Sequence, residues 1–303
     1  MAEASLFDRS AEQFAEIQTG ICGALEELDG EARFSVDRWE RSGGGGGISR
    51  ALAGGRLFEK AGVNWSLVAG ELPADYAAQL PGSGTRFRAA GVSLVLHPKS
   101  PMVPTVHANV RCLEKGDRTW FGGGADLTPY YLWREDAVHF HATWRAVCER
   151  HPAAADHGRF KAWCDDYFQL PHRGERRGIG GIFFDYLDGG GEPASLDAVR
   201  AFTVDVGQSV VSAYAPIAAR RKDESWGERE RAWQLLRRGR YVEFNLVYDR
   251  GTVFGLKTGG RTESILMSLP PLAGWEYDPP EPAAGSREAD LLKVLRDPVD
   301  WLA

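Results

Sequence analysis

Cysteine is scarce in this sequence, and the spacing of the few cysteines argues against several protein classes. The 303 residues include four cysteines, and no two of them form a Cys-x-x-Cys pair. This inventory does not suit the disulfide scaffold of a small secreted protein. Each cysteine lies within an otherwise apolar pattern, and we expect all four to be reduced core residues, namely Cys22, Cys112, Cys148 and Cys164.

Long apolar runs and an excess of basic charge are also missing. No run approaches the roughly 18 to 20 consecutive apolar residues of a membrane span, and the acidic residues 1–13 contain no apolar signal region. We therefore expect a soluble cytoplasmic protein without a membrane span. The net charge of −6 argues against a nucleic-acid surface. An anionic ligand would instead have to be bound by arginines that are gathered locally.

The composition that is present is that of an ordinary globular protein. Hydrophobic residues make up 43% and charged residues 26% of the chain, and no repeat or low-complexity linker divides it. We therefore predict a single domain, residues 1–303. Apolar residues at three-to-four spacing predict an N-terminal helix within residues 1–30 that is closed by Gly30. Strands and helices then mix without regular β-α-β alternation, which predicts an α+β fold with one large antiparallel sheet.

The segment Val92–Arg111 has the clearest strand pattern, with two extended runs joined by a proline-containing connection. Alternate side chains of a strand point to opposite faces, so pairing of the two runs would give one apolar and one polar face. A polar face in an antiparallel sheet often simply meets water. Histidine, asparagine and arginine, however, bind anions and transfer protons, so a lined cavity competes with that interpretation. The polar face would collect Ser93, His97, His107, Asn109 and Arg111.

Several other segments allow more than one interpretation. The glycine run Gly43–Gly47 lacks the Lys-Ser/Thr of a phosphate loop, and a flexible connector or a lid over a site is favoured over nucleotide binding. Trp120–Tyr131 suits either a tight loop beside a flat apolar ligand or a packed turn. In a helix that starts near Glu135, His141 falls on the inward stripe, as a hydrogen-bonded core histidine would. The arginines that follow His172 are interpreted as a solvated turn.

The stretch that begins at Arg240 alternates like a β-hairpin whose turn includes Asp249 and Gly251. Turn chemistry accounts for Asp249 and for the glycines. It does not account for the two arginines, Arg250 and Arg261, at the ends of one predicted strand.

Five segments, in this order, together resemble the oxygen-dependent coproporphyrinogen III oxidases: VSLVLHPKSPMVPTVHANVR, WFGGGADLTPYY, HFHATW, HRGERRGIGGIFFDYL and YVEFNLVYDRGTVFGLKTGGRTESILMSLPP. The similarity runs from about Phe34 to the C-terminus. It implies a cytoplasmic homodimer of haem biosynthesis, in which each subunit is a large flat antiparallel sheet flanked by α-helices on both sides. Dimerisation through a hairpin region, residues 241–271, is implied as well.

The reaction that the resemblance implies is the oxidative decarboxylation of two propionates of coproporphyrinogen III to vinyl groups, giving protoporphyrinogen IX. Dioxygen would be the co-substrate, and carbon dioxide and hydrogen peroxide would be released. No organic cofactor is implied, since the electron-rich pyrrole can itself react with dioxygen. The oxygen-independent enzyme for the same step needs three closely spaced cysteines for its iron–sulfur cluster. The four cysteines of this sequence are all far apart, so they do not form such a group.

The resemblance also assigns roles to particular residues. His107 matches the proton donor, and Asp249 with Arg250 matches the pair held to be essential at the pyrrole. Arginines suit the substrate because guanidinium groups pair with carboxylates, and glycine amides can approach a carboxylate closely. The positions that match substrate-binding residues are Ser93, Asn109, Val110, Arg111, Gly259, Gly260 and Arg261.

A divalent metal, manganese or magnesium, is the less secure part of the resemblance. The positions that match ligands proposed in bacterial members are His97, His107, His141 and His172. Four imidazoles are an unusual set for such hard cations, which prefer oxygen ligands. Neutral histidines that hydrogen-bond the substrate are the favoured interpretation.

Two other function classes compete with this one. A metal-dependent hydrolase would also use a cluster of histidines, but it would bind zinc tightly and consume no oxygen. A tetrapyrrole carrier without catalysis would keep the arginines and aromatic residues, and its affinity would survive Asp249→Ala.

Overall fold

The computed structural model describes residues 4–191, 193–257 and 260–303. Their strands are β1 (Ser35–Glu40), β2 (Gly45–Ala53), β3 (Phe58–Glu71), β4 (Arg86–Pro98), β5 (Thr105–Lys115), β6 (Arg118–Thr128), β7 (Gln169–Leu170), β8 (Glu175–Arg176) and β9 (Gly181–Leu187). Seven of these strands form one sheet in the order β1-β2-β3-β4-β5-β6-β9, and all neighbours are antiparallel. β4 is therefore the central strand, while β7 and β8 pair separately.

Helices lie on both faces of the seven-stranded sheet. In the described part of the chain they are α1 (Leu6–Asp29), α2 (Ala74–Ala77), α3 (Arg134–Arg150), α4 (His157–Tyr167), α5 (Pro193–Arg221), α6 (Glu228–Val247), α7 (Arg250–Lys257), α8 (Thr262–Leu266) and α9 (Arg287–Arg296). The helices α1, α3 and α5 pack on one face. The helices α6 and α8 approach the other, where Arg238 bonds to Pro98 and Ser264 to Ser49. The predicted α+β architecture is confirmed.

The N-terminal helix is α1, and it ends where the sequence predicted. Gly30 has φ of 82°, and its N–H donates to the carbonyl of Glu26, so glycine closes the helix in the left-handed conformation. None of the helices in the three described ranges is both long and apolar enough to cross a membrane.

The predicted strands of Val92–Arg111 are β4 and β5, with Ser93 opposite Asn109. The apolar side chains on one face of this pair are at most 4% exposed and belong to the main core with α1 and α5: Val92, Leu94, Leu96, Val106, Ala108 and Val110. Each fully buried aliphatic side chain of this kind contributes about 1.5–3 kcal/mol. The alternation in the sequence therefore assigns the two faces correctly.

The glycine run Gly43–Gly47 contains the turn of the β1–β2 hairpin and the start of β2, so it is not a flexible connector. Gly44 and Gly45 have φ of 110° and 84° and belong to the β1–β2 hairpin. At Gly47 a Cβ would meet the indole ring of Trp39 at 2.4 Å, because that ring lies against the backbone. The hairpin turn and the packing of Trp39 explain these glycines.

The predicted hairpin within residues 241–271 is wrong. Where the structure describes this range, it contains the end of α6, then α7 and α8, and these elements are helices and not strands. The alternation of Val242, Phe244 and Leu246 imitates a strand, but Tyr241 and Phe244 also have helical spacing. Tyr241 and Phe244 are at most 1% exposed on the inner side of α6, whereas Leu246 is 43% exposed. Dimerisation through this region stays a prediction.

Candidate functional site

Short polar side chains form a row across four strands on the face of the sheet that is not packed against α1 and α5. Ser49, Asn64, Ser93 and Asn109 stand in register on β2, β3, β4 and β5, and we name them the polar row. Ser49 Oγ donates to Asn64 Oδ1 over 2.8 Å. Ser93 is exposed although β4 is the central strand, so the sheet is open to solvent here. We name the open region above the row the trough.

His107 lies beside the polar row, two residues before Asn109 on β5. Its Nδ1 is 2.8 Å from Asp126 Oδ1 and 3.1 Å from Arg177 Nη2. The shorter of the two contacts is to a carboxylate, which only accepts hydrogen bonds, so we assign the Nδ1 proton to Asp126. Arg177 Nη2 then cannot donate to the same nitrogen. Nε2 is 3.4 Å from the amide nitrogen of Asn109. With 17% of its side chain exposed, His107 presents Nε2 to the trough.

A buried ion pair between Arg177 and Asp126 fixes the position of His107. Arg177 donates to both oxygens of Asp126 over 2.7 and 2.9 Å, and the two side chains are 2% and 1% exposed. Burial alone would raise the pKa of Asp126, but the charge of Arg177 and the bond from His107 outweigh burial, and the pKa lies below its usual value. Arg177 also donates to Asn245 over 2.6 Å and lies 4.0 Å over the ring of Phe168. The interpretation of this arginine as a solvated turn is wrong.

Arg111 stands at one end of the polar row. Its Nη1 donates to Asn109 Oδ1 over 3.1 Å and its Nη2 to Asp185 Oδ2 over 2.7 Å. Asp185 and Tyr186 form a β-bulge opposite Gly122, and Tyr186 has φ of 54°, which residues other than glycine rarely adopt. A Cβ at Gly122 would meet Asp185 Oδ1 at 2.5 Å. The bulge and the glycine together allow Asp185 to reach Arg111.

Asp249 and Arg250, at the start of α7, both contact Tyr167 of α4. The Tyr167 hydroxyl donates to Asp249 Oδ1 over 3.0 Å, and the Arg250 guanidinium lies 4.9 Å over the Tyr167 ring. Burial raises the pKa of Tyr76 in α2, and the charges of Arg250 and Arg111 act on this tyrosine in the opposite direction.

Arg261 stands at the other end of the polar row, at the start of α8. Its Nη1 donates to Ser264 Oγ over 3.1 Å, and Ser264 Oγ is 2.8 Å from Ser49 Oγ, the first member of the row. Its Nη2 forms an ion pair with Asp37 of β1. Arg111 and Arg261 thus lie at opposite ends of one row, and each is paired with an aspartate.

Three predicted substrate-binding positions need separate comment. Val110 is 2% exposed and packs in the main core, because the alternation that points Asn109 and Arg111 to the trough points Val110 away from it. Substrate binding at Val110 stays a prediction, and it would have to use the backbone of this residue. Gly259 lies outside the described residues. The N–H of Gly260 donates to a carbonyl of α7 over 2.8 Å.

The four histidines proposed as metal ligands are engaged in separate places. His97 is fully buried against the Ser268 carbonyl at 2.9 Å, and burial lowers its pKa to about 3. His141 contacts the Ile179 carbonyl at 3.0 Å, and burial lowers its pKa to about 3. His141 is therefore the hydrogen-bonded core histidine that the helix pattern predicted.

His172 lies in yet another environment, bound to Glu243 and to the Tyr248 hydroxyl at 2.8 Å each. Across the described ranges, no group of three or more His, Cys, Asp or Glu side chains could hold a metal ion. The set of four histidines does not fit a metal centre, and we derive no chemical step through one.

Asp126, Arg177, Tyr167 and Asp185 were not predicted to be site residues from the sequence. A signal for Asp126 is present, because Gly122, Gly124 and Asp126 alternate on β6 and its pairing with β5 puts Asp126 opposite His107. The other three come from segments that reach the trough only through tertiary packing. No local pattern could have shown this.

The comparison with known families agrees with the geometry. The family model described as coproporphyrinogen III oxidase matches residues 9–301 of the 303. The match includes every strand of the sheet, the polar row and both of the paired arginines at its ends.

Proposed function

Because the chain belongs to the coproporphyrinogen III oxidase family, we propose that it catalyses the oxygen-dependent decarboxylation of coproporphyrinogen III. Two propionate side chains would become vinyl groups, giving protoporphyrinogen IX. Family membership itself supports an oxidoreductase of haem biosynthesis. The finer proposal adds dioxygen as the acceptor and the reaction at two propionates.

The stoichiometry of the proposed reaction states what the site must supply. Each propionate, with one dioxygen and one proton, yields one vinyl group, one carbon dioxide and one hydrogen peroxide. The C–H bond next to the pyrrole breaks and gives two electrons to dioxygen. The bond to the carboxylate then breaks, and its electron pair completes the double bond. The site must therefore bind carboxylates and deliver one proton per propionate.

The observation that carries the proposal is the 2.8 Å contact between His107 Nδ1 and the Asp126 carboxylate. Asp126 holds the Nδ1 proton, so His107 accepts and releases a proton at Nε2, the nitrogen on the trough side. The ionised Asp126 stabilises the imidazolium that forms when Nε2 is protonated. His107 can thus hold the proton that the peroxide product requires.

The charged residues around the trough suit the four carboxylates of the substrate. Arg111 and Arg261 lie at opposite ends of the polar row, where they would each meet a propionate. We assign Arg250 to the reacting propionate. Asp249, oriented by Tyr167, would face the pyrrole N–H groups and orient the ring or accept a proton.

The test supplies purified, metal-stripped protein with coproporphyrinogen III, with and without dioxygen, and measures vinyl product, carbon dioxide and peroxide. We expect turnover only with dioxygen and one peroxide per carbon dioxide. Asp249→Ala should lose carbon dioxide release while its circular dichroism spectrum is unchanged. Binding by the wild type without turnover would favour a tetrapyrrole carrier. Tightly bound stoichiometric zinc without oxygen consumption would favour a hydrolase.

We also propose that the protein is cytoplasmic and that two chains associate through residues 241–271. Leu246, Val247 and Leu256 in this region are 43%, 60% and 42% exposed, which supports an apolar contact. Val247→Asp should turn a dimer into a monomer in sedimentation experiments. A monomeric wild type would contradict the proposal.

A further inference from the structure

Both arginines at the ends of the polar row already have a carboxylate bound to them. Arg111 binds Asp185, and Arg261 binds Asp37. We propose that Asp185 and Asp37 are exchangeable counter-ions that set how tightly the site holds its ligand. Each occupies its arginine until a carboxylate of the ligand displaces it. This inference rests on the proposed function, because it takes the ligand to be a tetrapyrrole with several propionates.

Two of the five N–H groups of Arg111 already donate hydrogen bonds, one of them to Asp185. A carboxylate that binds a guanidinium through two bonds needs two neighbouring N–H donors. At Arg111, Nη1 already donates to Asn109 and Nη2 to Asp185. The Arg111 and Asp185 side chains are 32% and 12% exposed, so a ligand in the trough can reach the pair. A propionate that binds through the end of the guanidinium that faces Asp185 would therefore compete with Asp185 for Nη2.

Arg261 is arranged in the same way at the other end. Nη2 pairs with Asp37 and Nη1 donates to Ser264, while Glu263 is 3.9 Å from Nε. The Asp37 side chain is 51% exposed on an edge strand, so it can rotate into water when a carboxylate takes its place. The two counter-ions thus differ in exposure, and we expect the more exposed Asp37 to be displaced more easily than Asp185.

The sign of the effect follows from charge. A carboxylate that remains close to a bound propionate repels it, and the bond that it makes to the arginine has to be broken first. Both effects weaken binding. A site with free arginines would hold the substrate more tightly, and it would also hold the product, which keeps two of the four propionates. The aspartates therefore favour release of the product.

A purely orienting role predicts the opposite sign. If Asp37 and Asp185 only fixed the arginine side chains in place, their removal would weaken ligand binding, since the guanidinium groups would be less ordered. The direction of the change in affinity therefore separates the two roles.

The experiment measures binding of coproporphyrin III, the stable oxidised tetracarboxylate, by fluorescence titration, together with KM and kcat for coproporphyrinogen III. For Asp37→Asn we expect Kd and KM to fall roughly threefold. For Asp185→Asn we expect both to fall roughly tenfold, because the pair of Asp185 and Arg111 is less exposed. In neither variant should kcat rise. The matched control is Asp197→Asn, because Asp197 is 52% exposed and pairs with Arg9 and Arg200 away from the trough. Its Kd and KM should equal those of the wild type.

A thermodynamic cycle shows whether Asp37 acts through its arginine. In an Arg261→Gln background, Asp37→Asn should leave Kd unchanged, because there is no guanidinium left to free. An unchanged or higher Kd in Asp37→Asn and Asp185→Asn overturns the inference, and so does an effect that persists without Arg261. A wild type that neither binds coproporphyrin III nor turns over coproporphyrinogen III overturns the proposed function instead.

Discussion

The two faces of the central sheet use the same strands in opposite ways. On β5, Val106, Ala108 and Val110 are at most 3% exposed, while the intervening His107 and Arg111 keep 17% and 32% of their side chains exposed. The first face is closed by α1, α3 and α5, and the second is open at its centre. One strand thus contributes to stability through one set of side chains and to the site through the other. Substitutions on the two faces should therefore differ in what they change.

The largest effect should come from His107→Gln. Loss of a group that holds a proton lowers kcat by about 100- to 10,000-fold. Because His107 is partly exposed and glutamine keeps hydrogen-bonding capacity, the thermal midpoint should change by no more than a few degrees. Turnover of coproporphyrinogen III and circular dichroism melting measure the two quantities. A variant that loses most of its stability, or keeps most of its kcat, would contradict the contrast between the faces.

Leu94→Ala is the matched change on the apolar face of the neighbouring strand. Leu94 is 3% exposed within the main core, so its truncation should lower the free energy of unfolding by about 2–5 kcal/mol. The folded fraction should keep a kcat close to that of the wild type. Denaturant unfolding and turnover, corrected for the folded fraction, test this. A large loss of kcat at full folding would show that the faces are not separable.

Tyr167→Phe tests the open face in a subtler way. The hydroxyl donates to Asp249 and accepts the N–H of Arg250 over 3.2 Å, whereas the ring stacks 4.3 Å from Phe183. Phenylalanine keeps the stack and removes only the hydroxyl. We expect kcat to fall about tenfold, as for the loss of one hydrogen bond to a charged group, with unfolding nearly unchanged. Turnover and urea unfolding measure the two quantities, and an unchanged kcat would argue for a structural role alone.

The last prediction concerns acid stability, to which each side of the sheet contributes one buried histidine. The pKa values of His97 and His141 are lowered by burial to about 3. Since the unfolded chain takes up these protons near pH 6.5, stability is full above that pH and is lost as pH falls toward 3. Each histidine should give a slope of about 1.4 kcal/mol per pH unit in this window. Urea unfolding between pH 7 and 4 measures the slope, and His141→Gln should reduce it.

The sequence supports reliable predictions where side-chain alternation is strict and one face is buried. The β4–β5 hairpin, its two faces, α1 and the inward position of His141 all follow from local periodicity. Alternation failed in α6, because Val242, Phe244 and Leu246 fit a strand as well as a helix when their burial is unknown. Packing decides such cases, and short sequence windows do not contain it.

The resemblance to a known family located residues but not their surroundings. It assigned a role to Val110, whose side chain lies in the core, and it grouped four histidines that lie apart. It was silent on Asp126 and Arg177, although their pair supports His107. Long-range pairing between β5, β6 and the segment before β9 creates that support.

The unusual backbone at Tyr186 has a consequence for attempts to engineer this protein. A left-handed conformation destabilises a residue other than glycine by about 1 kcal/mol, so a stability screen would favour Tyr186→Gly. Yet the bulge at Tyr186 directs the carboxylate of Asp185 to Arg111. The Tyr186 ring also stacks on Trp120, with 6.4 Å between the ring centroids. A more flexible glycine there would stabilise the fold but place Asp185 less firmly against Arg111. Thermostable variants selected without an activity assay would therefore bind their product more tightly and release it more slowly.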